Sequence, residues 1–454
     1  HKHNLPTNRP ATNSPTLPLL AIMPFICLFA IDRRASLKGE TGMKVTIYCA
    51  TLLAFTFLSE IAAESNWPNW RGPSRNGLSP DKGLPVNWGP TENIAWKTAL
   101  PSWGAGTPIV WGDRIFVTSS SGTEADAVEP TKRGGDAGGP ALLLICIAKE
   151  TGTVLWQREL DRGNQYHRKH NLASPSPVTD GKNVWAVAGT GMVSAFDMEG
   201  EQLWRKNLQE LYGPFGLIFG YAASPLLFDD KLVIEVLHGY KTDDPSYVVA
   251  FDALSGDVKW HQERPTDAVK ESPDAYTTPT LLRRNGKSEI VVSGADYVTG
   301  HDPDTGAELW RIAGLNPEKE GNYRVVGSPV VVDEMIYAPT RKRPLLAIRA
   351  DDDQPRIAWR YMGKAAPDVP TPVSDGSLFF MVDDQGIATC VDAKTGEAVW
   401  GPERTAQGVV SASPILADGK LFITNENAVT TVLEAGPVFK MPATNELDGS
   451  YTLS

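Results

Sequence analysis

The chain has 454 residues with 43 Lys+Arg against 54 Asp+Glu, a formal net charge of −11, so its overall field repels nucleic acid. Hydrophobic residues make up 41%, too many for a disordered chain, and the 41 Gly, 35 Pro and 13 Trp favour short strands and tight turns over a coiled coil or helical bundle. Single cores stop growing near roughly 250–300 residues, so this length calls for several domains or a repeat array.

Residues 1–42 read as an unstructured or misplaced upstream segment, because the apolar run from Leu17 to Ile31 is broken by Pro18 and Pro24. Residues 43–65 read as a signal peptide: Lys44 gives a basic start, Val45 to Leu58 an apolar stretch, and Ala62-Ala63 small residues for cleavage. A membrane helix needs roughly 20 apolar residues, and Ser59-Glu60 ends this run too early. The expected mature chain, 66–454, is therefore periplasmic or secreted and has no transmembrane span. Cys27 and Cys49 leave with the leader, and Cys146 and Cys390 stay.

From there two phrases alternate down the chain. The first is clearest in Asp392-Ala393-Lys394-Thr395-Gly396-Glu397-Ala398-Val399-Trp400, and it returns as Asp302 to Trp310, Asp252 to Trp260 and, one residue shorter, Asp197 to Trp204. Ala148 to Trp156 lacks the Asp, and Trp359 closes a degenerate copy. The second is a Ser/Thr-Pro pair followed by apolar residues. It opens at Thr107-Pro108, Ser174-Pro175, Ser224-Pro225, Thr278-Pro279, Ser328-Pro329, Thr371-Pro372 and Ser413-Pro414. Spacing of this kind signals a propeller or solenoid. Within a unit, apolar runs such as Leu378 to Val382 lie between Asp375-Gly376 and Asp384-Gln385-Gly386, which predicts four strands joined by turns.

The repeated residues are structural. Gly supplies the positive φ of a tight turn, Asp and Thr cap turn amides, and Pro opens a strand without removing a ladder bond. The recurring Trp156, Trp204, Trp260, Trp310, Trp359 and Trp400 offer an apolar face for docking between neighbouring sheets. Two positions before the Asp (or Ala148) stand Cys146, Ala195, Ala250, Gly300 and Cys390, all small, which marks a crowded position. Cys146 and Cys390 are equivalent residues of separate units, too far apart for a bridge that needs Cα atoms within about 7 Å. They are expected as buried thiols.

These phrases closely resemble the PQQ-like β-propeller repeat family, whose signature is Ala/Asp-x-x-Thr-Gly-x-x-x-Trp. The match runs from about Trp67 to Lys440, and Trp67-Pro68-Asn69-Trp70-Arg71-Gly72-Pro73 with Asn76-Gly77 is similar to the opening motif of its secreted bacterial branch, which includes outer-membrane assembly factors. The resemblance implies an all-β, eight-bladed β-propeller of four-stranded blades. Seven Ser/Thr-Pro openings give seven blades, and Asn93-Ile94-Ala95-Trp96-Lys97 resembles an outer strand of an eighth. The closing blade is expected to be incomplete at the C-terminus, with the native product continuing into a further Ser/Thr-Pro strand.

The family also contains quinoprotein dehydrogenases, which use PQQ and Ca²⁺ with adjacent cysteines and a set of carboxylates. No Cys-Cys pair stands here, and no residues match a catalytic set, so no catalytic residue carries over. The expected function is a non-catalytic binding or assembly scaffold, with a PQQ-dependent alcohol dehydrogenase as the alternative. Segments leading into each Ser/Thr-Pro strand should lie near the axis. They nominate His167, His170, Asn171, Phe215, Tyr221, Tyr276, Thr277, Arg324 and Asp368 as a central face for a protein, a glycan or a small ligand. The plainer readings are hydrogen-bonded histidines at 167 and 170, a structural pair of Arg324 with Asp368, a solvated loop at Asp351-Asp352-Asp353, and a flexible insertion at Gly134 to Gly139 with no phosphate-binding role.

Overall fold

The computed structural model describes residues 66–122, 137–352 and 354–448. The upstream and signal-peptide readings over 1–65 lie outside the described residues, as does the Gly-rich insertion up to Asp136.

Apart from one short helix, Leu208–Tyr212, the regular structure is strand. Six antiparallel sheets of four strands follow one another in chain order, and a seventh gains a fifth strand, Leu78–Ser79, paired parallel to Ile415–Ala417. The first strands of the sheets are Ile109–Trp111, Val178–Thr179, Leu226–Phe228, Thr280–Arg284, Val330–Val332, Val373–Ser374 and Ile415–Ala417. They converge on one axis. The stretch from Trp67 to Leu78 bonds to Val110, Thr179, Leu227, Pro372, Pro414 and Leu416, which belong to or directly precede the first strands of five different sheets. Only a radial, propeller-like arrangement brings those edges to one short segment.

The middle strands carry apolar residues on both faces, as in Ala141–Ala148 and Lys231–Val236, because each is covered by a neighbouring sheet on either side. The fourth strands are mostly wet, and in Gln202–Asn207 and Val258–Glu263 the residue that is buried is the recurrent Trp. Each Trp pairs across the strand with the small residue of its repeat: Trp156 with Cys146, Trp204 with Ala195, Trp260 with Ala250, Trp310 with Gly300, Trp359 with Ala347 and Trp400 with Cys390. A bulge follows the small residue every time, which turns the indole toward the next sheet. A Cβ on Gly300 would sit 2.1 Å from the Trp310 ring, so the smallness of this position has a steric cause. Cys146 and Cys390 are free and buried, and burial pushes both thiols up to about 12.

The indoles reach across the seams. Trp156 Nε1 donates to Met198 O at 2.9 Å, Trp204 to Ala253 O at 2.9 Å, Trp260 to Pro303 O at 2.9 Å, Trp359 to Ala393 O at 3.2 Å and Trp400 to Gly436 O at 2.9 Å. At the second of these seams, Gly256 (φ +73°) packs under Trp204, where a Cβ would lie 2.6 Å from the ring. Trp310 is an exception to the expected docking set. Its Nε1 bonds to Glu289 Oε2 of its own sheet at 2.5 Å, because the next repeat is degenerate and has Ala350-Asp351-Asp352 in place of the Thr-Gly turn. Arg284 pairs with the same Glu289 at 2.8 Å within this sheet and donates to Asp352 O of the next, so the seam is crossed by an ion-paired arginine instead of an indole.

The Ser/Thr-Pro openings form a second, axial link. Thr107 N donates to Ser176 Oγ, Ser176 N to Ser224 Oγ, Ser224 N to Thr278 Oγ1, Thr278 N to Ser328 Oγ, Ser328 N to Thr371 Oγ1 and Thr371 N to Ser413 Oγ, all at 2.8–3.0 Å. This corrects the opening of the second unit from Ser174-Pro175 to Ser176-Pro177. The two adjacent Ser-Pro pairs look alike in sequence, and only strand register tells them apart.

Candidate functional site

A cavity of about 410 Å³ opens on the axis above this hydroxyl chain. Its walls come from the predicted pre-strand segments. A small hairpin, Tyr166–His167 paired with His170–Asn171, turns through Arg168 at φ +60° and presents His167, Arg168, Lys169 and His170 to the space. Phe219, Tyr276, Arg324 and Asp368 enter from the segments leading into the third to sixth sheets, and Arg341 and Asp384 come from turns.

Of the residues nominated from sequence, His167, His170, Tyr276, Arg324 and Asp368 line the cavity. Asn171, Phe215, Tyr221 and Thr277 do not. Thr277 follows Tyr276 on an extended segment, so it points the opposite way and bonds to Glu235 Oε1 at 2.6 Å and Ser293 O at 2.7 Å. Asn171 is buried and holds Trp103 O and Ala137 O through its amide. Tyr221 lies in the core with its hydroxyl on Glu235 O, and Phe215 stacks on it at 5.0 Å. Sequence reasoning missed Arg168, Lys169, Phe219, Arg341, Asp384 and Ser411. The first two lie between the nominated His167 and His170, whereas Arg341 and Asp384 sit in turns whose inward aim has no periodic signal.

The cavity is cationic with a buffered interior. Arg324 pairs with Glu271 at 2.9 Å, not with Asp368, and its guanidinium lies 5.0 Å from the centre of the Phe219 ring. Arg168 caps the same ring at 5.9 Å and has no ion-pair partner among the described residues. Lys169 bonds to Glu426 at 2.8 Å, which also accepts from Ser411. Asp368 sits 3.9 Å from Arg341, while Asp384 accepts the backbone N–H groups of Asp368 and Val369. Burial, aided by Asp384, raises the Asp368 carboxyl to about 6 against the pull of Arg324, Arg341 and Lys169. Burial raises Asp384 too, and it lowers His167 to about 4 and His170 below the usual imidazole value. Both rings are therefore neutral near pH 7. His170 Nδ1 lies within bonding distance of Asn171 O and Ser174 Oγ, as in the hydrogen-bonded reading of that residue, while His167 stacks on it at 5.8 Å.

The calcium of a quinoprotein does not fit these groups. Among the described residues no three His, Cys, Asp or Glu side chains gather as a metal site, and Asp368 and Asp384 face Lys169, Arg324 and Arg341, which oppose a divalent cation. The carboxylates of PQQ, in contrast, would suit the cationic side chains. No helix among the described residues is long and apolar enough to cross a membrane.

The comparisons agree with this architecture. Polyvinylalcohol dehydrogenase from Pseudomonas sp is 24% identical over 310 residues, covering 60% of this chain and 43% of that protein. Outer membrane protein assembly factor BamB from Kangiella koreensis is 24% identical over 194 residues, 42% of each chain. The chain thus spans less than half the length of both relatives. Among solved structures, a europium-containing methanol dehydrogenase superposes with a TM-score of 0.59 at 12% identity, covering 85% of this chain and 86% of that one, a likeness of fold. The profile described as outer membrane protein assembly factor BamB matches residues 142–401 and 351–436, more than half of the sequence, and the chain belongs to that PQQ-like propeller family.

Proposed function

We propose that residues 66–454 form a propeller with eight blade positions, exported by a leader over 43–65 to the periplasm or cell exterior, that acts as a non-catalytic binding or assembly module through its central face. The observation that carries the functional reading is the cavity, in which Arg168, Lys169, Arg324 and Arg341 meet aromatic rings and two carboxylates. Such a site suits a carboxylate-bearing segment of a partner: cations select it, and Phe219 and Tyr276 pack its apolar parts. In support of the eight-position reading, Trp96 Nε1 donates to Lys149 O at 2.8 Å and packs on Gly152, the geometry of a preceding blade's indole. The six-link hydroxyl chain also ends at Thr107 and Ser413, with no such link joining these two among the described residues.

Titration with hexa-aspartate tests the function. The parent protein is expected to bind one equivalent, and Arg324→Ala to weaken binding about tenfold, the usual loss for a charge-assisted bond. Tyr276→Ala should weaken the same ligand. If neither variant alters the affinity, the central face is not the site.

The alternative, a PQQ-dependent oxidoreductase, is favoured by the match between a cationic cavity and a quinone with several carboxylates. Saturable one-to-one PQQ binding that is lost in Arg324→Ala would support it over the scaffold reading, and a dye-linked alcohol assay would follow. In that case the protein's own contribution is to bind and orient the group through Arg168, Lys169, Arg324 and Arg341, while the bound quinone supplies the redox chemistry.

A further inference from the structure

Below the central-face cavity lies a second space of about 150 Å³, lined by the hydroxyl chain itself: Thr107, Ser176, Ser224, Thr278, Ser328, Thr371 and Ser413. Six of these hydroxyls already accept a backbone N–H from the preceding unit. Their O–H protons have no acceptor in these links, so each hydroxyl is left as a donor. A hydroxyl can do both at once.

The floor of the same space is Trp70 and Arg71. Arg71 is 2% exposed, and its guanidinium bonds to the carbonyls of Pro414, Asn76 and Pro372, while its Nε has no partner among the described residues. Burial draws its pKa down to about 9, so it remains charged at neutral pH. No Asp or Glu lines the cavity. A buried cation without a counter-charge is costly, and a ring of hydroxyl donors around an acidic-residue-free space is the complementary half of an anion site.

We propose that the axial cavity binds one small inorganic anion, held by the Ser/Thr hydroxyls and balancing the charge of Arg71. The space holds such an ion with a few waters, given that one water occupies about 10–15 Å³ on this measure. This space adjoins the central-face cavity and shares Ser174, Tyr276 and Ser411 with it, and its guanidinium is fixed to the edges of the sixth and seventh units.

Bromide is the probe. Crystals of the protein in bromide should show an anomalous peak within hydrogen-bonding distance of the Ser/Thr hydroxyls. In solution, the melting temperature should rise with chloride relative to gluconate at equal ionic strength. Thr278→Val should remove or flatten that chloride response, whereas Thr278→Ser, which keeps the hydroxyl, should retain it; circular dichroism checks that each variant folds. Arg71→Lys, which keeps a charge but not the fork, should weaken the response severalfold. A cavity filled by water alone without an anomalous peak, or melting that is indifferent to chloride in the parent, overturns the proposal.

Discussion

The seam between the second and third sheets and the seam between the seventh and first are built from different materials. In the former, Trp204 is 8% exposed, bonds to Ala253 O and packs on Gly256, while Ser176 N on the axis donates to Ser224 Oγ. In the latter, Trp96 makes the same indole bond to the first sheet but is half-buried. Further contacts here are the bonds of Thr98 Oγ1 to Gly152 O and of Gly83 N to Asp418, a stack of Trp88 on Phe422 at 6.2 Å, the bonds of Asn445 to Val86 and Trp88, and an exposed Lys97–Asp448 pair at 3.1 Å. One seam couples its outer edge to its axial edge. The other holds the outer edge by loop residues, and on the axis the segment from Trp67 to Leu78, bonded to Val110 and Leu416, stands in for the hydroxyl link. Propeller rigidity is thus a sum of two clasps per seam, and the irregular seam is the expected site of first opening.

Two pairs of substitutions and two single ones sharpen this contrast. Trp204→Ala should cost about 3–5 kcal/mol, the usual range for a buried aromatic, and Trp96→Ala clearly less, measured by denaturant unfolding. Equal losses would mean that the seventh-to-first seam is as tightly closed as the others. Glu289→Ala removes the carboxylate that holds Arg284, the residue bonded across to the fifth sheet, with an expected loss of about 3–5 kcal/mol because the buried guanidinium loses its counter-charge. A loss under about 1 kcal/mol would show that this seam relies on other contacts.

On the axis, Thr278→Val strands the N–H of Ser224 and should cost about 1–3 kcal/mol. Thr107→Val removes a hydroxyl to which no unit's N–H is seen to donate, and a small effect, within about 0.5 kcal/mol, is expected. If both cost the same, the chain of links has a closing member at Thr107.

A further effect concerns pH. The folded pKa of Asp368, about 6, lies above its unfolded value of about 3.9, so the native state binds the extra proton and stability falls as pH rises from about 4 to 6. Asp368→Asn should remove this slope and be neutral or stabilising at pH 7.5. A steeper slope in the variant would contradict the assignment. The same protonation removes a negative charge from the cavity, so an anionic ligand should bind more tightly at pH 5.2 than at pH 7.5.

The repeats were legible in the sequence because turn and strand demands are local. The turn glycines, the small partner of each Trp and the Pro at each strand start are fixed by turn, cross-strand and strand-start demands that recur in every unit, which is why strand number and the buried thiols follow from spacing. The site was only half legible. An extended segment points alternate side chains opposite ways, so Tyr276 enters the cavity and Thr277 does not, and no pattern marks which of the pair faces the axis. Arg341 and Asp384 arrive from turns whose aim is decided by neighbouring sheets. Ser174 and Ser176 present the same dipeptide, and the choice between them is made by a hydrogen bond to a residue 69 positions earlier.

The claim that the central face is a binding site for an anionic segment is tested most directly by calorimetric titration of the folded protein with hexa-aspartate at pH 7.5, beside Arg324→Ala. The account predicts saturable one-to-one binding that weakens about tenfold in the variant. Absence of binding by a folded protein, or an affinity unchanged by the loss of Arg324, would contradict it.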